Sequence, residues 1–368
     1  MDGPRPVRPE EIEDLTDLLD AIFGFDYYKR EYMIAGLRRP VMETGRVIAE
    51  GGKPISYIFS HDAELSMYGC TVRVASIGCV GTREDRRKKG YAGAILTHHI
   101  ERMEAAGVRL MIVSGDRNLY RRNHCVHAGV AYEAKLTPGL FAAPPTGLSV
   151  RRAGIEEWSL LAPLYQAEAA HFVRPADLEG NLCFWWDCCK FEIYAIEHGG
   201  RPVAYAVLGG YRWRDERGHW TAEYAGSRAA LLEAMPRLFE ATGSSLISVQ
   251  ALAQDVELRY RLAEMGVGTE WRTISGTKRL INLPGLMEDL RDYLAAQLTE
   301  RDLAGLSFAQ EGERCTFALG RERLDLDLSE ACRLVCGHPN ARTAEGALGR
   351  ALGAIFPLPT IQAGLNYV

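Results

Sequence analysis

The stretch Val72–Gly93, VRVASIGCVGTREDRRKKGYAG, constrains the fold more than any other part of this 368-residue chain. It opens with an apolar, β-branched run, Val72–Val80, closed by a polar turn, which is the pattern of a buried strand. A charged loop, Arg83–Lys89, follows, then Gly90, Ala92 and Gly93, and then Ala94, Ile95, Leu96 and Ile100 at helical spacing. The order is strand, basic glycine-containing loop, helix start. Backbone N–H groups in the first turn of a helix have no intrahelical partner and point outward at the positive end of the macrodipole. The loop therefore reads as an anion site, with small residues that let backbone approach a diphosphate closely. It is neither a Walker A loop, since no G-K-[ST] follows, nor a dinucleotide fingerprint, since G-x-G-x-x-G is absent. The plain structural alternative is a solvated basic turn capping an ordinary αβ unit.

Around this stretch the hydrophobic pattern alternates between strand and helix. Pro9–Phe23 carries Ile12, Leu15, Leu18, Leu19 and Ile22 at helical spacing, with Gly24 as a stop. A second helical stretch, Tyr27–Gly36, is aromatic and basic. Arg46–Glu50, Gly51-Gly52 and Pro54–Ser60 read as a hairpin, and Ala63–Tyr68 and Val72–Val80 as further strands. After a helix over Gly90–Ala106 comes an apolar strand, Val108–Ser114, and then Asn118-Leu119-Tyr120-Arg121-Arg122, with His124, Cys125 and His127 just beyond. Leu136–Thr146 is rich in Pro and Gly and reads as a linker.

Beyond the linker the pattern restarts. A helix is expected over Arg151–Ala167, strands over Phe191–Glu197, Val203–Leu208 and His219–Ala225, a helix over Ser227–Ala241, a strand over Ser245–Ala251 and a helix over Glu257–Gly266. Gly199-Gly200-Arg201-Pro202 repeats Gly51-Gly52-Lys53-Pro54, which supports a tandem repeat of one fold. In the second copy Glu223-Tyr224-Ala225-Gly226-Ser227 runs straight into the helix, without a basic loop. The aromatic cluster Phe184-Trp185-Trp186 reads as core or interface packing. A third pattern opens with a helix over Pro284–Leu298. Strands at Leu306–Gln310, Cys315–Leu319 and Arg323–Leu328 follow, then helices at Ser329–Cys336 and Thr343–Ala354. The expected division is 1–140, 147–282 and 283–368, of α/β (α+β) class.

Composition sets outer limits. A net charge of −5 argues against general binding to nucleic acid or an anionic membrane, so the cluster at Arg83–Lys89 is local. No apolar run approaches the roughly 20 residues needed to span a bilayer, and Met1–Glu10 has no apolar core of the signal-peptide kind. The nine cysteines include Cys332 and Cys336, four apart on an expected helix, and none has zinc-ribbon spacing. Reduced, buried thiols in a cytoplasmic protein are expected, with no metal.

Arg87-Lys88-Lys89-Gly90-Tyr91-Ala92 fits R-x-x-G-x-G/A, Val80-Gly81-Thr82 stands where strand hands over to loop, and Asn118-x-Tyr120-x-Arg122 follows the next strand. Together these resemble the GCN5-related N-acetyltransferases. Two such domains followed by a small helix-and-sheet domain resemble the enhanced-intracellular-survival type, whose last domain looks like a sterol carrier protein. The resemblance implies an acetyl-CoA-dependent N-acetyltransferase, direct transfer to a primary amine of a cationic small molecule or a lysine, and a cytoplasmic homo-oligomer. It implies that Val80, Gly81 and Thr82 bond the pantetheine arm, and that Arg87, Lys88, Lys89, Gly90, Tyr91, Ala92 and Gly93 hold the pyrophosphate. Tyr120 would be the general acid, and the α-carboxylate of Val368 the general base. Asp26 and Tyr27, with Phe25 and Tyr28 beside them, would wall the acceptor pocket, and the second copy would be non-catalytic. Lysines at 88 and 89, where arginines are usual, put more of the diphosphate geometry on backbone amides. Cys79 and Cys125 flank the motif, but a covalent route is not the expectation. Two other readings are an acyl-CoA sensor without turnover and a lipid-binding protein that works through its last domain.

Overall fold

A computed structural model describes residues 1–24, 30, 34, 37, 44–141, 147–174, 191–210, 218–274, 276–359, 361 and 364–366. The candidates Phe25, Asp26, Tyr27, Tyr28, Val368 and Phe184–Trp186, and the expected helix over Tyr27–Gly36, lie outside these, apart from residues 30 and 34 of that helix. The chain folds as two compact units, one of residues 1–128 and 275–358 with 368, the other of residues 129–274 with 359–367.

In the first unit, strands β1 (Asp2–Pro6), β2 (Arg46–Glu50), β3 (Lys53–Met67), β4 (Cys70–Thr82) and β5 (Leu110–Val113) lie side by side in that order. The β2–β3 hairpin turns on Gly51 and Gly52, both at positive φ (58° and 81°), which L side chains avoid and glycine adopts freely. All neighbours are antiparallel except β4 and β5. Helix α1 (Ile12–Phe23) ends on Gly24 at φ +64°, as its sequence anticipates. Helix α2 (Tyr91–Ala105) crosses back from β4 to β5 and buries Ile95, Leu96, Ile100 and Met103 against Ile58, Ala75 and Ile77 of the sheet. Pro54–Ser60 and Ala63–Tyr68, expected as two strands, are one continuous β3, because both halves pair with β4.

The second unit repeats this plan. Its sheet runs β13 (Thr269–Thr273), β6 (Val130–Leu136), β12 (Leu246–Leu252), β11 (Gly218–Gly226), β10 (Arg201–Gly210), β9 (Glu192–His198) and β7 (Leu148–Ala153). Only β11 and β12 are parallel. The β9–β10 turn again uses two positive-φ glycines, Gly199 and Gly200. The expected helix over Arg151–Ala167 is instead β7 followed by α4 (Trp158–Gln166). Val150 and Ala153 satisfy either period, and pairing with β9 selects the strand. The helix expected over Ser227–Ala241 is two, α5 (Arg228–Glu233) and α6 (Met235–Thr242), with Pro236 in the first turn of the second, where a missing N–H costs nothing. Helix α7 (Val256–Glu264) follows β12, and a short strand, β8 (Ala170–Phe172), stands between α4 and β9 in the chain.

Two strands leave the repeat in which the chain order places them. β6 follows the first repeat but lies in the second sheet, antiparallel to β12. β14 (Thr277–Leu280) follows the second repeat but lies in the first sheet, antiparallel to β5. The compact units therefore break at 128/129 and 274/275 rather than at the expected linker, 136–146. The remainder of the first unit comprises α8 (Leu283–Asp289), α9 (Arg291–Gln297), α10 (Glu300–Gly305), a meander of β15 (Leu306–Glu311), β16 (Arg314–Leu319) and β17 (Glu322–Asp327), then α11 (Leu328–Cys336) and α12 (Gly346–Ile355). The meander matches the three strands expected there. The Arg109–Asp289 ion pair (2.7 Å) ties α8 into the first unit, and the Thr277 hydroxyl on the Gly115 carbonyl (2.8 Å) ties β14 to the turn after β5. Among the described residues no helix is long and apolar enough to cross a membrane.

Candidate active site

The site begins where β4 and β5 part. They pair only from Val74–Ile77 to Leu110–Val113, after which β5 ends and β4 runs on to Thr82. Over Gly78–Thr82, β4 keeps its β3 partner on one edge, but among the described residues no strand covers the other. Between Tyr57↔Gly81 and Phe59↔Gly78 the register gains one residue in β4, a bulge that puts Cys79 at φ +47°. Such bulges re-aim backbone groups beside sites. The strand end is fixed by its neighbours. The Ser56 hydroxyl bonds to the Thr82 hydroxyl (2.8 Å) and donates to the Gly81 carbonyl (3.2 Å). Gly81 lies against α1, where an added methyl would come within 2.8 Å of Ile22 Cδ1.

The following loop sorts its basic residues into two groups. Arg83 pairs with Asp85 (2.6 Å), and Arg86 with Glu50 (2.7 Å) and Asp85 (2.8 Å), so both hold the loop's own shape. Arg86 also keeps the Glu50 carboxyl below its usual range. Arg87, Lys88 and Lys89 are exposed and have no carboxylate partner among the described residues, although Arg87 Nε donates to the Thr82 carbonyl at 3.3 Å. Lys88 sits at φ +62° and Gly90 at +85°, so the chain makes two left-handed steps into α2. For Gly90 this costs little. For Lys88 it is a strained conformation, of the kind concentrated at ligand sites. No side chain caps α2. Its first-turn amides are therefore left without a side-chain partner, directly after Arg87, Lys88 and Lys89 in the chain.

Tyr120 lies on α3 (Asn118–Arg121), the short helix after β5. It is buried in the cluster formed by Ile77, Ile95, Leu96 and Val113, against which Val80 and Tyr91 also pack. The fold thus gathers Tyr120, the end of β4 and the start of α2 into one place. Burial raises the phenol to a pKa of about 12. The nearby alternatives are occupied or inert. His124 contacts the Ser329 hydroxyl (3.2 Å) and Glu313 (3.1 Å), and His127 the Gly276 carbonyl (3.0 Å) and Asp116 (3.4 Å), so both nitrogens of each ring are engaged. Cys125 is buried, and its thiol is pushed up to about 12, far from the thiolate a nucleophile needs. Cys70, Cys125, Cys315, Cys332 and Cys336 are free thiols. Among those residues no group of three or more His, Cys, Asp or Glu side chains is placed to hold a metal ion.

Residues 4–125, which contain the whole of this site, match the model of an acetyltransferase (GNAT) domain. These residues form a GNAT acetyltransferase domain, and the protein is an acetyltransferase. Solved structures similar along nearly the whole chain have the same fold. They include a GCN5-related N-acetyltransferase from Anabaena variabilis (TM-score 0.67, 14% identity, 96% of each chain covered). A probable N-acyltransferase of unknown function from Enterococcus faecalis is also similar (0.68, 11%, 96% of this chain and 97% of that one). So is Eis1 from Mycobacterium abscessus (0.63, 14%, 97% of each). No curated protein sequence matches the chain. The domain implies an acyl-CoA cosubstrate, and the loop's free cations and uncapped amides fit a diphosphate.

At the corresponding place in the second unit, β11 and β12 also pair only over three residues and then part. There the chain supplies its own anion. Glu168 accepts the Gly226 N–H (3.0 Å) and pairs with Arg228 (2.5 Å), which also pairs with Asp255 (2.8 Å). Ser227 caps α5 through the Ala230 N–H. The cleft beside it, about 480 Å³, is lined by Glu168, Glu223, Asp255 and Glu257 against Arg228, the one cation among its described lining residues. Sequence reading found the missing basic loop, but not the carboxylate that replaces the ligand, because Glu168 lies 58 residues from Gly226.

Proposed function

We propose that the protein transfers an acetyl group from acetyl-CoA directly to a primary amine of a cationic small molecule or a lysine side chain. The observation that carries this reading is the loop after β4. Open strand edge, unpaired Arg87–Lys89 and uncapped α2 amides succeed one another along a single path, as pantetheine and diphosphate would. In this reading the backbone of Val80, Gly81 and Thr82 bonds the pantetheine arm. Arg87, Lys88, Lys89 and the amides of Gly90–Gly93 hold the diphosphate. The amine nitrogen attacks the thioester carbonyl, the C–N bond forms as C–S breaks, and the Tyr120 hydroxyl gives its proton to the leaving thiolate. The ammonium proton is taken, through water, by the α-carboxylate of Val368, and Asp26 and Tyr27 line the acceptor pocket. The second repeat is non-catalytic, since a diphosphate there would meet the Glu168 and Asp255 carboxylates. Residues 283–368 as a sterol-carrier-like domain, a homo-oligomeric state and a cytoplasmic location belong to the same proposal and rest on the family resemblance.

Calorimetry with acetyl-CoA tests the reading on wild type and Gly90→Glu. The glutamate adds a like charge to the diphosphate site and a side chain at φ +85°, in open space where nothing lies within 4 Å. Micromolar binding by wild type, weakened at least about 100-fold in the variant, is expected. Equal binding by both sinks the loop as the coenzyme site. A panel of spermidine, an aminoglycoside and a lysine peptide then identifies the acceptor class.

A further inference from the structure

Within the first unit, one cluster of chemically active side chains takes no part in the site above. Cys332 and Cys336 stand four residues apart on α11, a spacing that puts both on one face of the helix, and both are buried. Helix α11 packs against β14, and the Cys332 thiol donates to the Lys278 carbonyl of that strand at 3.4 Å. Lys278 is itself only 3% exposed. Its Nζ donates to the Ala128 carbonyl at 2.7 Å, and among the described residues no carboxylate pairs with it.

An ammonium sealed from water with a carbonyl as its partner is costly unless an anion stands close by. The groups beside Lys278 that can become anions are the two thiols. Burial pulls the ammonium's pKa down, and Cys336 and then Cys332 work against that fall. The thiols are not equivalent. The Cys332 thiol holds Cys336 below the ordinary thiol range; burial opposes this and the ammonium reinforces it. Cys332 is pushed the other way, well up, by Cys336 and by burial. The charge balance of the cluster is thus one ammonium, one thiolate at Cys336 and one protonated thiol at Cys332.

We infer that Cys332 and Cys336, with the Lys278 ammonium beside them, form a dithiol site that hydrogen peroxide, an oxidant little larger than water, converts to a disulfide. A thiolate next to a protonated thiol is the arrangement that reaction needs. The Cys336 thiolate attacks one peroxide oxygen, the O–O bond breaks, hydroxide leaves and Cys336 becomes a sulfenic acid. Cys332 sulfur then attacks the Cys336 sulfur, the S–S bond forms, and the sulfenic oxygen leaves as water with the Cys332 proton. The two sulfurs give two electrons and peroxide takes them. Side chains at this spacing have Cβ atoms about 5–6 Å apart, against about 3.5–4.5 Å in a disulfide, so closure draws the last turn of α11 together. Cys336 is the final residue of that helix and Gly337, at φ +91°, follows it, so no further helical turn resists the movement.

The sequence supplies a clean readout. Trypsin cuts after Arg323, Arg333 and Arg342, so Cys332 and Cys336 fall on separate peptides, 324–333 and 334–342, which only a disulfide joins. The reduced full chain is treated with hydrogen peroxide under native conditions, quenched in denaturant with N-ethylmaleimide, digested without reductant and read by mass spectrometry. Cys125 is the internal reference, because it is as deeply buried and its thiol is pushed up to about 12. The joined peptide should appear at least about tenfold faster than Cys125 is consumed. Cys332→Ser should stop at a sulfenic acid on Cys336, trapped by dimedone in the quench, and Cys336→Ser should leave Cys332 as inert as Cys125. Lys278→Met should slow consumption of Cys336 at least about tenfold. Thermal unfolding checks that each variant is folded, and the wild-type experiment needs no substitution. Unjoined peptides at the time Cys125 is consumed, or either cysteine joined to a third, overturn the site and leave two packing residues. Reactive Cys332 in Cys336→Ser overturns the thiolate assignment, and a wild-type rate in Lys278→Met overturns the part given to the ammonium.

Discussion

Burial lifts the Tyr120 phenol to about 12, above the ordinary value near 10. In the proposed mechanism Tyr120 is a general acid, which works only while protonated, so its contribution persists below that pKa and disappears as pH rises through it. Wild-type kcat should therefore show no loss from Tyr120 between about pH 8 and 10. Tyr120→Phe keeps the ring packed against Ile77 and Val113 while removing the proton, and should lower kcat by roughly 100-fold or more at constant acetyl-CoA affinity. A variant within twofold of wild type would leave thiolate protonation to solvent and restore the sensor reading. The placement of Tyr120 just after an apolar strand was legible in the sequence, since that signal is local. The sorting of the loop's cations was not. Arg86 is spoken for by Glu50, which lies 36 residues upstream and reaches it only through the pairing of β2 with β3 and of β3 with β4.

The two repeats present matched elements with opposite fittings: a strand that parts from its parallel neighbour, then a helix N-terminus. At α2 that terminus is left uncapped behind Gly90. At α5 it is closed by Ser227, with Glu168 on the preceding amide. An N-terminus finished by its own side chains contributes stability and offers little to an anion. Ser227→Ala should therefore lower unfolding stability by about 1 kcal/mol, read as a lower Tm, with acetyl-CoA affinity unchanged. A loss of affinity would mean that the second unit takes part in coenzyme binding. The element types were readable wherever one period dominated, as in α1, β4 and α2. They were misread where Val150 and Ala153 fit both periods, and where β3 continued through the polar residues His61 and Asp62, which its pairing with β4 carries across.

Strand membership is the feature least visible in the chain. Val130–Leu136 and Thr277–Leu280 are short and unremarkable, and nothing local says that each belongs to the sheet of the other repeat. A fragment ending at residue 140, the boundary that sequence favours, would hold β6 without β12 and β5 without β14. It would leave one edge of β5 and both edges of β6 unpaired, and open edges recruit other chains. Such a fragment should be insoluble or lack cooperative unfolding, whereas the full chain should unfold cooperatively. A soluble, cooperatively folded 1–140 would show that β14 is dispensable to the first sheet. The same exchange sets a schedule for biosynthesis. β5 emerges from the ribosome about 160 residues before its partner β14, which at roughly 5–20 residues per second is about 8–30 s of synthesis. Throughout that interval the first sheet has an open flank, and in the crowded cell a chaperone, or simply fast elongation, must guard it until β14 has been made.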